Sequence, residues 1–271
     1  MDIQLPVELA ATLGPILAVD TPVQGSAFEV VVVTTRRGRV VIKRGTTPAT
    51  RAELAEESRV LHVLREERPF VAVPVDVVPG ADTDTFAFTY LEGEPMSAAL
   101  QAADEAKKHA LVARFGATLR RIHAWTPPLP RVDDWLPTVI ARERVRIDAM
   151  PRGAIIRGTH TRFDGLDARR LVHDVQTWAS HVTTDLVFGH GDYCLPNVLV
   201  REDAVVGIID WSRGGYADRR FDLATGLFSL RVNDTLGAAA YLTTFLQGYG
   251  CEESVETLHM FEALHALTCF W

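Results

Sequence analysis

His190-Gly191-Asp192-Tyr193-Cys194-Leu195-Pro196-Asn197, followed by Ile208-Ile209-Asp210-Trp211, decides how this chain is read. Asp192 stands five residues before Asn197, and Asp210 follows thirteen residues after Asn197. The run Val205-Val206-Gly207-Ile208-Ile209 is apolar and β-branched, which predicts a short buried strand that delivers Asp210 where it leaves the core. Asp and Asn are also common turn formers, and an isolated Asp-x-x-x-x-Asn would be read as a turn. Here His-Gly precedes the pair, an apolar strand flanks it on each side, and a second carboxylate follows at a fixed distance. The donor types are those a phosphoryl transfer needs. A hard divalent cation takes oxygen ligands, one or two carboxylates and an amide carbonyl, which Asn197 and Asp210 supply. The remaining carboxylate, Asp192, is then available to orient a hydroxyl and take its proton, while His190 braces the loop through hydrogen bonds.

The spacing matches the protein-kinase catalytic loop, H-R-D-x-x-x-x-N with a separate metal-binding Asp beyond it. A second constellation lies upstream. Val40-Val41-Ile42-Lys43 resembles the kinase V-A-I-K strand, whose Lys holds the α- and β-phosphates. Glu57, in the helix that follows, is the expected partner of Lys43, with Glu53 and Glu56 as rivals. Glu53 lies further from the helix centre, and Glu56 shares a face with Arg59. A lone Lys at a strand end is ordinarily solvated, so Lys43 acquires meaning only with the downstream loop. The glycine-rich phosphate loop of protein kinases is missing. Only Gly25-Ser26-Ala27 precedes the first strong strand, and its backbone N–H groups with the Ser26 hydroxyl are the expected phosphate cap. No G-x-x-x-x-G-K-[ST] occurs either.

A chain of 271 residues accommodates two modest domains or one large one. Its composition is that of an ordinary globular protein. A net charge of −7 argues against a nucleic-acid partner and is compatible with a cationic substrate. No apolar stretch reaches membrane-spanning length, and Met1-Asp2-Ile3-Gln4-Leu5-Pro6 carries no secretory signal. Cys194, Cys251 and Cys269, scattered and odd in number, read as reduced thiols in a cytoplasmic protein, with Cys194 a small packed residue of the loop. No membrane partner is expected, and the assembly is a monomer or weak dimer.

Residues 1–92 read as an α+β, nucleotide-binding lobe. Phe28 to Thr35 and Arg39 to Lys43 form a hairpin joined at Arg36-Arg37-Gly38, and Thr47-Pro48 starts a helix. Strands are predicted at 73–78 and 85–90, and Leu91-Glu92-Gly93-Glu94-Pro95 reads as a hinge. Residues 93–271 are mostly helical: about 96–101, 104–125, 134–148, 167–182, 218–231, 235–248 and 253–269. They read as the catalytic and substrate-binding lobe.

His190 to Asn197, with Gly207-Ile208-Ile209-Asp210-Trp211-Ser212-Arg213-Gly214-Gly215-Tyr216-Ala217-Asp218-Arg219-Arg220-Phe221-Asp222, resembles the aminoglycoside phosphotransferases, most of all their 3′- and 3″-phosphotransferase branch. The match is strongest over 185–230 and thin over 127–184 and the last helices. The resemblance implies a bilobal protein-kinase-like fold, a small antiparallel-sheet lobe plus a larger, mainly helical one, using ATP or GTP with Mg²⁺. It makes Asp192 the catalytic base and Asn197 and Asp210 the metal ligands. Lys43 would bind phosphates with Glu57 orienting it, and Arg213 would lie near the transferred phosphate. Residues 89–93, Tyr90 and Glu92 among them, match the strip whose backbone contacts adenine. Asp218 and Asp222 are expected to cap and brace the following helix. The chain departs from the branch where acids bind the substrate's ammonium groups. His265 or Thr268 stands where an acid is expected, and Arg157 to Arg162 is basic. Asp164, Asp167, Glu262, His265 and the Trp271 carboxylate remain as candidates for contacting substrate.

The expected reaction is phosphorylation of a hydroxyl on a small molecule, first of all an aminoglycoside antibiotic, by direct in-line transfer. The nearest rival is a kinase of a choline-like, sugar or macrolide alcohol. A metal-dependent phosphohydrolase would use His190, Asp192 and Asp210 but would leave Lys43 without a role and lacks a two-metal cluster. A nucleotide-binding regulator without catalysis has nothing in its favour, because base, metal ligands and Lys are all present.

Overall fold

The computed structural model describes residues 5–22, 28–67, 70–71, 74–78, 80, 83–157, 162–232 and 239–269. Two compact units emerge. The first comprises Met1–Gly93 with Val206–Arg213, and the second Glu94–Val205 with Gly214–Trp271. A linear division at 92/93 takes no account of the returning segment.

In the first unit, α1 (Val7–Leu13) and β1 (Ile16–Asp20) precede the predicted hairpin, β2 (Glu29–Thr35) and β3 (Gly38–Gly45). Next come α2 (Pro48–Val63), β4 (Pro74–Val78) and β5 (Asp84–Thr89). The five strands form one antiparallel sheet in the order β1-β2-β3-β5-β4. Alternation sets its inner face: Val31 and Val33 on β2 pack with Val40 and Ile42 on β3, Ala87 on β5, and Leu9 and Leu13 from α1. Lys43 pairs across to Val30 on one side and Phe86 on the other, which places it in the central strand. Thr47 and Thr50 close a reciprocal cap on α2 with Pro48 in its first turn, so the helix starts where the sequence predicts. The returning segment docks on this unit: Val71 and Ile208 form a parallel bridge, and the buried Trp211 indole N–H donates to the Ile208 carbonyl at 3.1 Å.

The second unit opens with β6 (Glu94–Pro95), α3 (Met96–Gln101), α4 (Glu105–His123), α5 (Trp135–Asp148) and α6 (Ala168–Ala179). The loop strands follow: β7 (Leu186–Gly189), β8 (Val198–Arg201) and β9 (Ala204–Ile208), the last of which runs on into the first unit. The chain ends with β10 (Gly215–Asp218), α7 (Arg219–Arg231), α8 (Ala239–Tyr249) and α9 (Val255–Thr268). β10 pairs antiparallel with β7, and β6 with β8. The turn before β9 carries left-handed backbone at both Glu202 and Asp203, the conformation a tight two-residue hairpin turn requires. The main core is helical. Leu136, Ile140 and Ile147 of α5, Val172 and Val175 of α6, and Phe261, Leu264 and Leu267 of α9 share one cluster. Among the described residues, no helix is long and apolar enough to cross a membrane.

The predicted helices appear: α3 has the predicted bounds, α8 runs on to Tyr249 with 235–238 outside the described residues, and α4, α5, α6, α7 and α9 are one to four residues shorter; Asp104, Asp167, Asp218 and Ser254 each accept a backbone N–H at the N-terminus. Three strands go beyond the sequence reading. β1 carries the short apolar run Ile16 to Val19 but is an exposed edge strand, β6 falls in the segment read as a hinge, and Gly215-Tyr216-Ala217-Asp218 has the composition of a turn.

Candidate active site

The site residues fall into two groups, one in each unit. In the first unit Lys43 is the centre. Its Nζ donates to both carboxylate oxygens of Glu57 at 2.9 Å and also pairs with Asp210 Oδ1. Lys43 and Glu57 are 7% and 3% exposed, so both charges are out of water and depend on each other. Burial pulls the Lys43 ammonium down, but the charges and hydrogen bonds of Glu57 and Asp210 outweigh it and hold it above its ordinary value. Burial pushes the Glu57 carboxyl up, against the pull of Lys43, with Asp210 adding to the rise. One ammonium faces two carboxylates, of which Asp210 is the more exposed. Glu57 also accepts the Trp211 backbone N–H. The helix rivals are spent elsewhere: Glu56 pairs with Arg59 on the outside of α2, and Glu53 has no contact with Lys43. Asp210 has φ +64°, a left-handed conformation that turns the chain sharply after β9 and that Asp tolerates better than most residues.

Arg213, three residues on, is exposed. At the other end of the sheet, the Arg39 guanidinium lies 3.8 Å over the Tyr90 ring and 3.5 Å from Glu92, while the Tyr90 N–H donates to the Arg39 carbonyl. Ser26 falls outside the described residues, as does Trp271.

In the second unit the loop after β7 is built around Asp222. This buried side chain reaches back from the first turn of α7 and accepts the backbone N–H groups of His190 at 2.7 Å and Gly191 at 2.8 Å. A Cβ on Gly189 would sit 2.6 Å from Asp222 Oδ2, so glycine there is a packing requirement. Gly191 has φ +77° and lets the chain turn immediately before Asp192. The His190 ring then accepts the Asp192 N–H through Nδ1 at 3.2 Å, and Asn197 Nδ2 donates to the Asp192 carbonyl at 3.0 Å. The Asn197 amide oxygen and the half-buried Asp192 carboxylate take no part in these bonds. Tyr193 is buried, donates to the Phe115 carbonyl at 2.7 Å and stacks on the Phe115 ring, and Ser229 Oγ accepts the Leu195 N–H. Cys194 is half-buried in this frame.

Asp222 has a further partner. His123 Nε2 lies 3.2 Å from Asp222 Oδ2, and His123 Nδ1 lies 2.8 Å from the Tyr249 hydroxyl. Burial would push the Asp222 carboxyl up; the imidazoles of His123 and His190 and the backbone N–H groups reverse this and hold it below its ordinary value. His123, Tyr249 and Ser229 were not among the expected site residues. The available signal was His123 itself, a polar residue on the apolar stripe of α4 with Leu119 and Ile122. Asp218, as expected, caps α7 and accepts from Arg220 and from the Asp185 N–H.

The candidate substrate residues lie in the same unit but do not form one group. Asp164 is exposed. Glu262 is 2% exposed, with Arg162 and Arg231 both on its carboxylate. His265 is buried one turn further along α9, against Phe221 and Phe228, with Cys269 Sγ 3.5 Å from its Nε2. Asp167 is the α6 cap.

The donor set suits Mg²⁺, which is held through one or two carboxylates together with substrate phosphates instead of a protein cage. Among the described residues no three His, Cys, Asp or Glu side chains cluster as a metal centre.

The profile of the phosphotransferase enzyme family, APH, matches residues 21–261. The chain belongs to this family. Among relatives of this phosphotransferase-family chain, an aminoglycoside 3′-phosphotransferase of Streptomyces fradiae is 30% identical over 195 residues, 66% of this chain and 67% of that protein. Another, of Niallia circulans, is 44% identical over 71 residues, 26% of each. The chain thus spans about two thirds of the first relative and about a quarter of the second in these alignments. Two solved structures share the fold at TM-scores of 0.71 and 0.68. One is an aminoglycoside-3′-phosphotransferase of type VIII, 22% identical, with 93% of each chain covered. The other is APH(3″)-Id of Streptomyces rimosus in complex with ADP and streptomycin, 21% identical, covering 90% of this chain and 94% of that one. The resemblance to aminoglycoside phosphotransferases and the α+β bilobal kinase-like fold expected from the sequence are both borne out.

Proposed function

We propose that this protein is a small-molecule kinase that transfers the γ-phosphoryl group of ATP or GTP to a hydroxyl, with an aminoglycoside as the acceptor, and so confers antibiotic resistance. The observation that carries this reading is the buried Lys43–Glu57 ion pair with Asp210 on the same ammonium, an arrangement for which a metal-dependent phosphohydrolase has no role. The relatives' names support the acceptor class. Residues 1–92 serve as the nucleotide-binding lobe and 93–271 as the catalytic and substrate-binding lobe.

Lys43 steadies the α- and β-phosphates. Glu57 fixes its ammonium in position, so little entropy is lost when phosphate arrives. The backbone of Tyr90 to Glu92 meets the base, Ser26 caps a phosphate, and Arg213 neutralises charge on the transferred group. Asp210 and Asn197 would hold Mg²⁺, which would supply charge neutralisation on the phosphate oxygens. Asp192 accepts a hydrogen bond from the acceptor hydroxyl and takes its proton as the oxygen attacks phosphorus in line with the departing diphosphate, with no phosphoenzyme. His190, Asn197 and Asp222 hold the Asp192 backbone fixed. Asp164, His265 and Trp271 remain the acceptor-side candidates, the Glu262 carboxylate being already ion-paired with Arg162 and Arg231.

The test is a coupled ADP- and GDP-release assay with Mg²⁺ against kanamycin-type, neomycin-type and streptomycin-type aminoglycosides, choline and a macrolide. Turnover with an aminoglycoside is expected. Asp192→Ala should abolish that turnover while nucleotide still binds. Near-normal turnover in Asp192→Ala would remove Asp192 as the base. Turnover with choline or the macrolide alone would replace the acceptor class and keep the kinase.

A further inference from the structure

A cavity of about 260 Å³ lies within the second unit among α7, α8 and α9. That volume falls just under the range of about 300–1,000 Å³ usual for drug-sized ligands, so it suits a small molecule. Its walls are mostly apolar, with Leu227 from α7, Leu242 and Leu246 from α8, and Leu258 from α9. One end is charged, and its balance is unusual. Arg162 Nη2 lies 3.3 Å from Glu262 Oε2, and Arg231 Nη2 pairs with the same oxygen. Two guanidinium groups therefore share one carboxylate. The other acid on the cavity, Glu253, is already paired with Arg219. A positive charge remains over.

Two observations agree with that surplus. Arg231 Nη2 is buried and makes no hydrogen bond of acceptable geometry among the described residues, although Glu262 is its ion-pair partner. His259, also on the cavity wall, is held below its ordinary imidazole value by burial first and then by repulsion from Arg162 and Arg231, which outweighs Glu262. An ammonium entering here meets two arginines before it reaches a carboxylate they already occupy. A carboxylate meets two donors that share a single acceptor, and a short hydrocarbon chain behind it meets leucines.

We propose that this cavity is a binding site for a small amphipathic carboxylate, its charged end on Arg162 and Arg231 and its apolar chain among Leu227, Leu242, Leu246 and Leu258. Occupation of the cavity needs no nucleotide. Guanidinium–carboxylate pairing supplies the orientation, and burial of the chain supplies the larger share of affinity. Glu262 acts as the built-in competitor. The same reading takes Glu262 away from ammonium recognition.

The experiment is calorimetric and ligand-observed NMR titration of the full chain, without nucleotide, using three probes of one length: hexanoate, hexylammonium and 1-hexanol. Hexanoate should bind most tightly of the three. Arg162→Gln, a change at a half-exposed side chain, should weaken hexanoate about tenfold, the scale of one charge-assisted hydrogen bond, and leave 1-hexanol unchanged. Glu262→Gln should act in the opposite sense and tighten hexanoate, because it frees both arginines. Hexylammonium binding as tightly as hexanoate would overturn the proposal. So would hexanoate binding that neither substitution moves, or no saturable hexanoate binding at all. If Glu262→Gln does not fold, as read from its circular dichroism, Arg162→Gln with the three probes decides alone.

Discussion

Lys43 illustrates how a single buried ion pair is judged. Its desolvation is offset only while Glu57 is present, and Glu57's only while Lys43 is present. Lys43→Met should therefore destabilise the protein by about 3–5 kcal/mol, because an uncompensated carboxylate is left inside. Adding Glu57→Gln to Lys43→Met should restore a large part of that loss while phosphotransfer stays absent. Urea denaturation of the two single variants and the double variant tests this; a double variant no more stable than Lys43→Met would show that the pair is not coupled. Asp222 gives the second case. Asn at this position offers one acceptor oxygen where two backbone N–H groups and His123 converge, so Asp222→Asn should cost roughly 2–4 kcal/mol and slow turnover with little change in nucleotide affinity. The pH dependence has a definite sign. The folded carboxyl sits below its ordinary value of 3.8, so its contribution is complete above about pH 5 and disappears as pH falls through the folded-state value. The stability gap between wild type and Asp222→Asn should shrink between pH 5 and pH 3, and a gap that grows on acidification would contradict the assignment. These residues were legible to different degrees. Asp192, Asn197 and Asp210 declare themselves by spacing, and Glu57 by its place opposite Lys43. His123 and Tyr249 lie 99 and 27 residues from Asp222 in the chain, and nothing local in the sequence connects them.

At the scale of elements, α4 and α8 approach until their backbones touch. A Cβ on Gly116 would stand 2.1 Å from the Phe245 carbonyl oxygen, and one on Gly248 would stand 2.2 Å from that of Ala113. Neither neighbour is a flexible side-chain tip, so the helices would have to separate. Gly116→Ala and Gly248→Ala should each destabilise by about 1–3 kcal/mol, the usual cost of overpacking, despite alanine's better helix propensity. Thermal melts that show either variant unchanged or raised would mean that the interface relaxes freely. The same pair shows where sequence reading stops. Apolar periodicity locates both helices, but a glycine inside a helical pattern does not by itself announce a packing role, and the use of Gly116 and Gly248 as a close contact appears only when the partner helix is in place. β10 was missed for a related reason: four residues, Gly215 to Asp218, become a strand because β7 offers its edge.

At the scale of the whole molecule, the first unit is not a contiguous piece of sequence. Ile208 and Trp211 are fully buried within it, yet they arrive after the second unit has begun. A chain of residues 1–93 lacks both and leaves Phe70 and Val71 without their partner. Such a fragment should show no cooperative unfolding by circular dichroism, and a peptide of residues 204–214 added in excess should restore it. A sharp two-state melt of 1–93 by itself would make the returning segment an ornament on a finished fold. Sequence reading assigned the strand at 205–209 its structure but placed it with the second unit, because order along the chain carries no information about which sheet a strand completes.

That return has a consequence for how the protein is made. About 110 residues separate Gly93 from Val206, so at about 5–20 residues per second a ribosome needs roughly 6–22 s to supply the missing piece. Throughout that interval the nascent sheet, with Lys43 and Glu57 already synthesised and Asp210 still untranslated, waits unfinished, and chaperones or proteases can act on it.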